Sequence, residues 1–278
     1  LLKADVDNLG AIFSIGFKTD EKDNVSISRV ATLSRMLDAF FSGWIPMQFE
    51  RSENVKEFDM SNNYIVYSGG DDLMILGPWD KLILTSKHIY KKFREFTGEN
   101  PDITFSAGVV LTKSSEPISH SSIKATDEEE RAKGNGKDSL SLFGRAIKWK
   151  EFDKMIENGE FIYENMKGGD NALFSQSFVY RLLNYTTMAE EYAEDNRKVE
   201  KLMYYAKFMY DLRRNIIPKV AQKYGIKNID ENIDEIMKKE EIRKLNEDIF
   251  MDGSPEDKDD ISKHFRLSLN WAVRKNRV

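Results

Sequence analysis

The sequence predicts an α+β domain followed by an all-α helical bundle. Short apolar runs and period-two alternation, the patterns of β-strands, occur only before residue 148, and helical spacing dominates after it. The predicted order in the first part is β-α-β-β-α-β with an appended α-β, the split βαβ or ferredoxin-like pattern. We therefore place a first domain over residues 1–147, connecting helices over 148–168 and a helical bundle over 169–278.

The first elements of this domain have clear signatures. The opening run LLKADVD alternates apolar and polar residues, as a strand with one buried face does, and this alternation puts Asp5 and Asp7 on the same side. Apolar residues at helical spacing predict a helix over residues 28–44. A hairpin follows, with strands at Tyr64–Ser68 and Leu73–Gly77. Its Gly-Gly pair allows the positive backbone angles of a tight turn.

The remaining elements of the first domain alternate between helix and strand. Asp80 is a candidate cap for the next helix, and Gly98 ends it. The run DITFSAGVVLTK at residues 102–113 predicts the fourth strand. A polar helix ending in RAKGNGKD follows, and SLSLFGRAI at residues 139–147 predicts a fifth strand.

The second part is predicted to be helical throughout. KGGDN at residues 167–171 breaks the chain and is interpreted as a linker and helix cap. Long helices are predicted over Ala172–Tyr192 and Val199–Ile217, and Pro218 bends or ends the second of them. Ser-Pro-Glu-Asp at residues 254–257 is an N-cap signature for the last helix.

The composition excludes several classes of protein. The 278 residues contain 42 Lys and Arg against 47 Asp and Glu, so no global basic field holds nucleic acid, and any such contact is local or made through partners. There is no cysteine, and the three histidines lie far apart, none followed by Asp. These features argue against a zinc site, a disulfide framework and a His-Asp metal hydrolase.

The start of the chain and the length of its apolar stretches indicate where the protein is located in the cell. The longest apolar stretches are far too short for a membrane span, and no signal segment opens the chain, so we expect a cytoplasmic protein with no membrane partner. The first residues already predict a core strand without an initiator Met. We therefore expect the natural protein to continue upstream.

Two acidic pairs carry the predicted chemistry. If the first strand pairs with the hairpin, Asp5 and Asp7 come close to Asp71 and Asp72 at the Gly-Gly turn. Crowded carboxylates raise one another's pKa values and destabilise the fold unless a divalent cation neutralises them. Mg²⁺ or Mn²⁺ suits such oxygen ligands, and two ions about 4 Å apart can serve phosphoryl transfer. The alternative is an ordinary polar hairpin turn beside surface strand residues.

Four strings follow one another along the first domain: ADVDNLG (4–10), SGGDD (68–72), FSAGV (105–109) and RAKGNGKD (131–138). Together they resemble the palm of nucleotide cyclases and polymerases. More closely, they resemble the second palm of the large "CRISPR polymerase" subunit of type III-A (Csm) interference complexes. The Gly-Gly-Asp-Asp tetrad is the most specific element. LFGRAIKWKEFD and SLNWAVRKNR are similar to that family as well, so the resemblance covers nearly the whole chain.

The resemblance implies roles for the acidic residues. Asp5 binds metal, with the Val6 carbonyl as an additional ligand. Asp71 is the second carboxylate ligand, and Asp72 is its neighbour in the metal and 3′-hydroxyl region. Asp71 and Asp72 are therefore the implied catalytic residues.

The resemblance also implies a nucleotide site. Lys133 and Lys137 are candidates for the triphosphate, and the glycines let the turn approach the nucleotide. The alternatives are a solvated helix end for the lysines, a structural role for Asp7 and structural strand serines. The other implied nucleotide-binding residues are Asp7, Asn8, Ser68, Gly69, Gly70 and Ser106.

The implied activity is ATP-dependent nucleotidyl transfer that yields cyclic oligoadenylates. In this family it belongs to an antiviral complex that is activated when its guide RNA captures target RNA. The implied partners are the other Csm subunits, among them a small helical subunit on the C-terminal bundle, and upstream domains of the same protein. A second palm upstream is expected to complete the site, and without it this chain can be inactive.

Two other functions stay open from the sequence. A diguanylate cyclase shares the fold, but the lysine and asparagine of its DxDxFKxxND pattern are missing here. A non-catalytic palm that docks partner subunits through the helical tail is the third hypothesis. The acidic run DEEER at residues 127–131 is interpreted as a solvated helix face.

Overall fold

The chain forms two compact units in a computed structural model, Leu1–Phe152 and Asp153–Val278. The structure describes residues 1–15, 18–19, 22–23, 26–51, 62–195, 200, 203–246 and 258–277. The N-cap signature predicted at residues 254–257 lies outside the described residues.

The first unit is an α+β domain, as predicted. In the described residues, its sheet has six strands in the order β4-β5-β1-β6-β7-β8, and the β6–β7 pair alone is parallel. The strands of the sheet are β1 (Leu2–Val6), β4 (Tyr64–Gly69), β5 (Asp72–Leu76), β6 (Phe105–Val109), β7 (Ser139–Leu142) and β8 (Arg145–Lys148). A separate ribbon pairs β2 (Lys18–Thr19) with β3 (Lys22–Asp23).

Five helices accompany the described part of this sheet. A π-helical turn at Ala39–Trp44 connects the second helix to the third. The predicted helix over 28–44 is therefore an α-helix that continues into this turn. The helices are α1 (Leu9–Ile15), α2 (Ile27–Asp38), α3 (Ile45–Arg51), α4 (Trp79–Phe96) and α5 (Ile118–Gly134).

The central strand β1 determines what meets at the site. Its apolar residues Leu2, Ala4 and Val6 are buried, as the alternation predicts. It pairs antiparallel with β5 on one side and with β6 on the other, which places Asp5 opposite both Asp72 and Ser106. The Gly-Gly hairpin therefore lies directly beside the first acidic strand.

Close packing of α5 on the sheet requires a glycine in FSAGV. A Cβ added at Gly108 would lie 2.3 Å from the backbone nitrogen of Glu129 and 2.7 Å from the carbonyl oxygen of Ala125. No side chain fits in that space. Gly108 thereby lets α5 bring its side chains close to β1.

The fifth predicted strand is wrong: SLSLFGRAI forms the hairpin of β7 and β8. The two turn residues, Phe143 and Gly144, have φ values of 53° and 77°. Two successive positive φ angles are typical of the tight turns that match strand twist. The sequence has Phe-Gly in place of the Asn-Gly or Asp-Gly that usually signals such a turn, so the run looks continuous.

The first unit extends past residue 147 because Trp149 belongs to its core. The indole ring stacks on Tyr90 with ring centroids 4.6 Å apart, and its Nε1 donates to the carbonyl of Phe105 at 2.9 Å. Phe105 also packs edge to face on Phe93. The segment predicted as a connector, 148–168, is therefore divided between the two units.

The second unit is helical, as predicted. Its core includes Ile162 and Met166 of α6, so this predicted connecting helix packs within the bundle. Pro218 lies in the first turn of α9, directly after a π-helical turn at Leu212–Ile216. The helices are α6 (Phe152–Met166), α7 (Gln176–Glu194), α8 (Met203–Asp211), α9 (Ile217–Lys223), α10 (Ile233–Met237), α11 (Glu240–Asn246) and α12 (Lys258–Lys275).

A buried acid links two of these helices. Asp211 accepts hydrogen bonds at 2.6 Å from Arg181 and from the hydroxyl of Tyr185, and at 3.0 Å from Asn215. All donors to this carboxylate come from the same unit, so the charge is locally satisfied. Within the described residues, no helix is both long and apolar enough to cross a membrane.

Candidate nucleotide and metal site

The Gly-Gly-Asp-Asp string forms the tip of the β4–β5 hairpin. Gly70 has φ of 65°, a left-handed conformation that a glycine adopts without steric cost. Asp71 follows in the turn, and its carbonyl accepts a hydrogen bond from the Val6 backbone nitrogen at 3.2 Å. The turn is thus tied to the end of β1, where Asp5 lies one residue earlier.

A carboxylate at the end of α2 holds the other side of this turn. Asp38 Oδ1 accepts from the Gly70 backbone nitrogen at 3.1 Å and from the Ser42 hydroxyl at 2.6 Å. These two hydrogen bonds, Ser42 first, lower the pKa of Asp38. Ser68 adds a further tie, because its hydroxyl donates to the carbonyl of Phe41 at 2.5 Å. Sequence reasoning missed Asp38, since an acid at a helix end carries no distinctive signal.

Behind the turn, acids and lysines alternate along β1 and α5. Lys133 on α5 forms an ion pair with Asp5, and its Nζ lies 2.6 Å from Glu129 Oε1. Glu129 Oε2 lies 3.1 Å from the Nζ of Lys3, which also donates to Thr126 at 3.2 Å. Glu129 is 4% exposed, so the prediction that DEEER is a solvated face is wrong at this residue. Its position one helical turn before Lys133 was the available signal.

Burial and crowding act on two of the predicted acids. Burial raises the pKa of Asp5 against the lowering effect of Lys133, and Asp71 and Glu129 raise it further. Burial also raises the pKa of Asp72, where Lys3 opposes it. Burial alone would lower the pKa of Lys133, but its hydrogen bonds to Asp5 and Glu129 outweigh this and raise it.

The donor set fits a hard divalent cation in charge and chemistry. Four carboxylates, those of Asp5, Asp71, Asp72 and Glu129, face two ammonium groups, those of Lys3 and Lys133, which leaves a formal charge of −2. Carboxylate oxygens are the ligands that Mg²⁺ prefers. In the described part of the chain, no group of three or more His, Cys, Asp or Glu side chains is arranged to hold a metal ion. The Lys133 ammonium contacts the Oδ2 oxygen of Asp5.

Asp7 does not share the environment of Asp5. It is 1% exposed, and its carboxylate accepts from the hydroxyls of Thr104 and Ser106, both at 2.8 Å, and from the backbone nitrogen of Asp138 at 3.0 Å. Three donors occupy its oxygens. Asp7 therefore fastens the end of β1 to β6 and to the loop after α5, the structural role that the sequence left open.

The loop after α5 carries the second predicted lysine. Lys137 has φ of 60° and its ammonium contacts the side-chain oxygen of Asn8, which is exposed. Lys148 supports this loop by donating to the carbonyls of Gly136 at 2.9 Å and Lys137 at 2.5 Å. Lys137 and Asn8 thus lie together, next to the buried Asp7 contact.

The structure therefore groups most of the predicted site residues into one region and separates a few. Ser106 is fully buried against Asp7, and Ser68 is engaged with Phe41. The residues grouped around the ends of β1 and the hairpin are Asp5, Val6, Asn8, Gly69, Gly70, Asp71, Asp72, Lys133 and Lys137.

The sequence of this chain is similar to a known family and to named relatives. The family model for the Cas10/Cmr2 second palm domain matches residues 1–141. The Cas10/Csm1 single-strand-specific deoxyribonuclease (subtype III-A) of Methanocaldococcus jannaschii is 36% identical over 183 residues, 60% of this chain and 22% of the relative. The protein of the same name from Streptococcus thermophilus is 32% identical over 212 residues, 74% of this chain and 26% of the relative. The chain thus spans about a quarter of the length of these relatives.

Solved structures extend the likeness of fold to nearly the whole chain. A Csm1-Csm4 cassette in complex with pppApApA matches 99% of this chain and 36% of the solved chain, with a TM-score of 0.64 and 19% identity. A cassette in complex with cA4 matches 98% and 36%, with a TM-score of 0.59 and 17% identity. The resemblance stated from the sequence motifs is confirmed: this chain belongs to the Cas10/Cmr2 family and carries its second palm domain over residues 1–141.

Proposed function

We propose that this chain catalyses metal-dependent nucleotidyl transfer from ATP and forms cyclic oligoadenylates within a type III CRISPR effector complex. The observation that carries the proposal is the pairing of Asp5 with Asp72 across β1 and β5, beside the turn that presents Asp71. Acids that are distant in the sequence meet at one end of the neighbouring strands β1 and β5, next to two lysines. Such a grouping suits a triphosphate and its divalent cation.

The acids would hold the metal. Asp5 and Asp71 would ligate Mg²⁺ or Mn²⁺, with the Val6 carbonyl as a further oxygen and Asp72 toward the 3′-hydroxyl of the attacking nucleotide. A divalent cation bound there supplies charge stabilisation for phosphoryl transfer. Burial raises the pKa values of Asp5 and Asp72, so a bound cation would stabilise the charged form of both carboxylates.

The basic and glycine residues would hold the nucleotide. Lys133 and Lys137 lie at the end of α5 and in the following loop, where their ammonium groups can meet phosphate oxygens. No atom lies within 4 Å of the position that a Cβ of Gly70 would take. A nucleotide could therefore approach the backbone of the turn closely. We assign Asp7 to structure, because three donors already occupy its carboxylate.

The substrate class is supported by the neighbours in fold. Solved Csm1-Csm4 cassettes contain AMPPNP, one ATP, pppApA and cA4. We extend adenine nucleotide binding to this chain. The relatives' deoxyribonuclease activity is assigned to no residue here, since none of the three histidines precedes an aspartate.

The proposed partners follow from the same relatives. The solved cassettes pair Csm1 with Csm4, and we propose a Csm4-like neighbour, a small helical subunit on the bundle, and guide and target RNA contacted through the complex. The relatives are about three times as long as this chain. We therefore propose that upstream domains, including a second palm, hold the other nucleotide.

The proposal is tested with the assembled complex, ATP, Mg²⁺ and target RNA. We expect cyclic adenylate products by mass spectrometry, and we expect Asp71→Ala with Asp72→Ala to abolish them. Asp170→Ala is the matched control, because it changes the acid of the second Gly-Gly-Asp string and should leave output intact.

Each alternative function has its own outcome in this assay. Products formed from GTP, with ATP unable to compete for the site, would replace the proposal with a diguanylate cyclase. Undiminished adenylate output from the double variant would show that this palm is a scaffold and that another site performs the chemistry.

A further inference from the structure

Lys133 lies where a cation would meet Asp5. Its ammonium contacts the Oδ2 oxygen of Asp5, and it remains within 2.6 Å of Glu129 on its own helix. The Lys133 side chain is 30% exposed and that of Asp5 is 26% exposed, so both can change partner. A point charge on a flexible stem is well suited to such an exchange.

Glu129 is the fixed member of the group. Its side chain is 5% exposed, and its second oxygen is paired with Lys3, whose ammonium is itself held by Thr126. That oxygen makes no hydrogen bond within the described residues, although it lies 3.1 Å from the ammonium of Lys3. Glu129 therefore stays in place, and Lys133 can pair with Glu129 or with Asp5.

We infer that Lys133 and a divalent cation compete for the same oxygen of Asp5, and that Glu129 keeps the lysine paired when the cation takes Asp5. This inference rests on the proposed function. Binding of the metal then frees one face of the ammonium, which remains one helical turn from Glu129 and directly beside the metal site. The lysine is thereby delivered to the triphosphate only when the metal is in place.

The exchange is favoured by charge. The six ionisable groups around Asp5 and the turn carry a formal charge of −2, which a single divalent cation neutralises. A second ion would bring excess positive charge unless a triphosphate came with it. Lys133 would meet that triphosphate, so metal and nucleotide binding are coupled through one side chain.

The test is a Mn²⁺ titration of the full chain without nucleotide. The electron paramagnetic resonance signal of free Mn²⁺ measures how much of the ion is bound. Lys133→Met removes the ammonium but keeps an apolar stem, so we expect Mn²⁺ to bind at least about fivefold more tightly. Lys137→Met is the matched control, since its ammonium contacts Asn8, and it should change the affinity by less than about twofold. At saturating Mn²⁺, Lys133→Met should bind ATP more weakly than wild type does. The same substitution therefore has opposite effects on Mn²⁺ affinity and on ATP affinity.

Glu129→Gln provides the second variant. It leaves Lys133 with Asp5 alone, so we expect weaker Mn²⁺ binding, and adding Lys133→Met should remove most of that loss. If Lys133→Met binds Mn²⁺ no better than wild type while Asp5→Asn binds it worse, the exchange is wrong and the proposed function stands. If Asp5→Asn binds Mn²⁺ as wild type does, both the metal site and the exchange are wrong.

Discussion

Two Gly-Gly-Asp strings lie in different surroundings. The first, at residues 69–71, forms the tip of a hairpin whose second strand pairs with β1. The second, at residues 168–170, belongs to a short 3₁₀ turn between α6 and α7. Both use a glycine in the left-handed region, Gly70 at φ of 65° and Gly168 at φ of 110°. The tripeptide alone therefore predicts a tight turn and nothing more.

The surroundings of the first string make it a candidate site. Asp5 on β1 lies opposite Asp72, and Lys133 pairs with Asp5. Asp38 accepts a hydrogen bond from the backbone of Gly70 on the other side of the turn. The second string joins two helices that pack into the core of their own unit. What separates the two strings is the acid that a neighbouring β-strand places opposite the first one, and substitutions can remove each part of that difference.

The largest effect is expected from the strand acid. Asp5→Asn keeps the size of the side chain and removes its charge, so we expect product formation by the complex to fall by about 10²-fold to 10³-fold. The thermal midpoint should not fall, because the burial of this charge already opposes folding. Full activity of Asp5→Asn would mean that the first string works without its facing acid.

A smaller effect is expected from Asp38, whose hydrogen bonds hold the Gly-Gly turn in place. Asp38→Ala removes the acceptor of the Gly70 and Ser42 hydrogen bonds, and we expect kcat to fall by about tenfold with a smaller change in KM. Asp38→Asn retains an acceptor oxygen and should restore most of the rate. Equal losses in both variants would assign the effect to charge and not to the position of the turn.

The two turn glycines should respond alike in stability. Gly70→Ala and Gly168→Ala each place a Cβ in the left-handed region, which costs about 1 kcal/mol of unfolding free energy in urea. Gly70→Asn should cost less, since asparagine tolerates this conformation. Only the Gly70 variants should also lower product formation. No stability loss in Gly70→Ala would contradict the left-handed turn.

The smallest effect is a gain in stability. The pKa of Asp72 is raised in the folded protein, so its charge weakens folding as pH rises from the ordinary pKa of an aspartate through the raised value. At neutral pH this cost is fully present, and Asp72→Asn should raise Tm by about 2 °C. The difference should vanish in strong acid. Asp170→Asn is the comparison, and an equal gain there would contradict the argument.

Much of the candidate site could be predicted because its residues follow patterns that are visible in the sequence. Strand alternation predicted the buried face of β1, and the Gly-Gly pair predicted the turn at Gly70. The pairing of Asp5 with the hairpin followed from the order of elements. These are local or topological features, which sequence pattern expresses directly.

The parts that sequence missed depend on tertiary contacts. Glu129 was assigned to solvent because its neighbours are charged, but the close approach of α5 at Gly108 buries it against Lys3 and Lys133. Asp38 became a tether only because α2 ends beside Gly70. The β7–β8 hairpin was hidden by an unusual Phe143-Gly144 turn, and α1 is too short for helical periodicity to stand out.

The central claim is that acids from β1 and from the Gly-Gly turn hold one divalent ion. The most direct measurement is a Mn²⁺ titration of wild type, Asp5→Asn, Asp71→Asn and the double variant. If both carboxylates bind the same ion, each single change weakens binding by at least about tenfold and the double change adds little more. Losses that simply add, or single variants that bind as wild type does, would contradict a shared site.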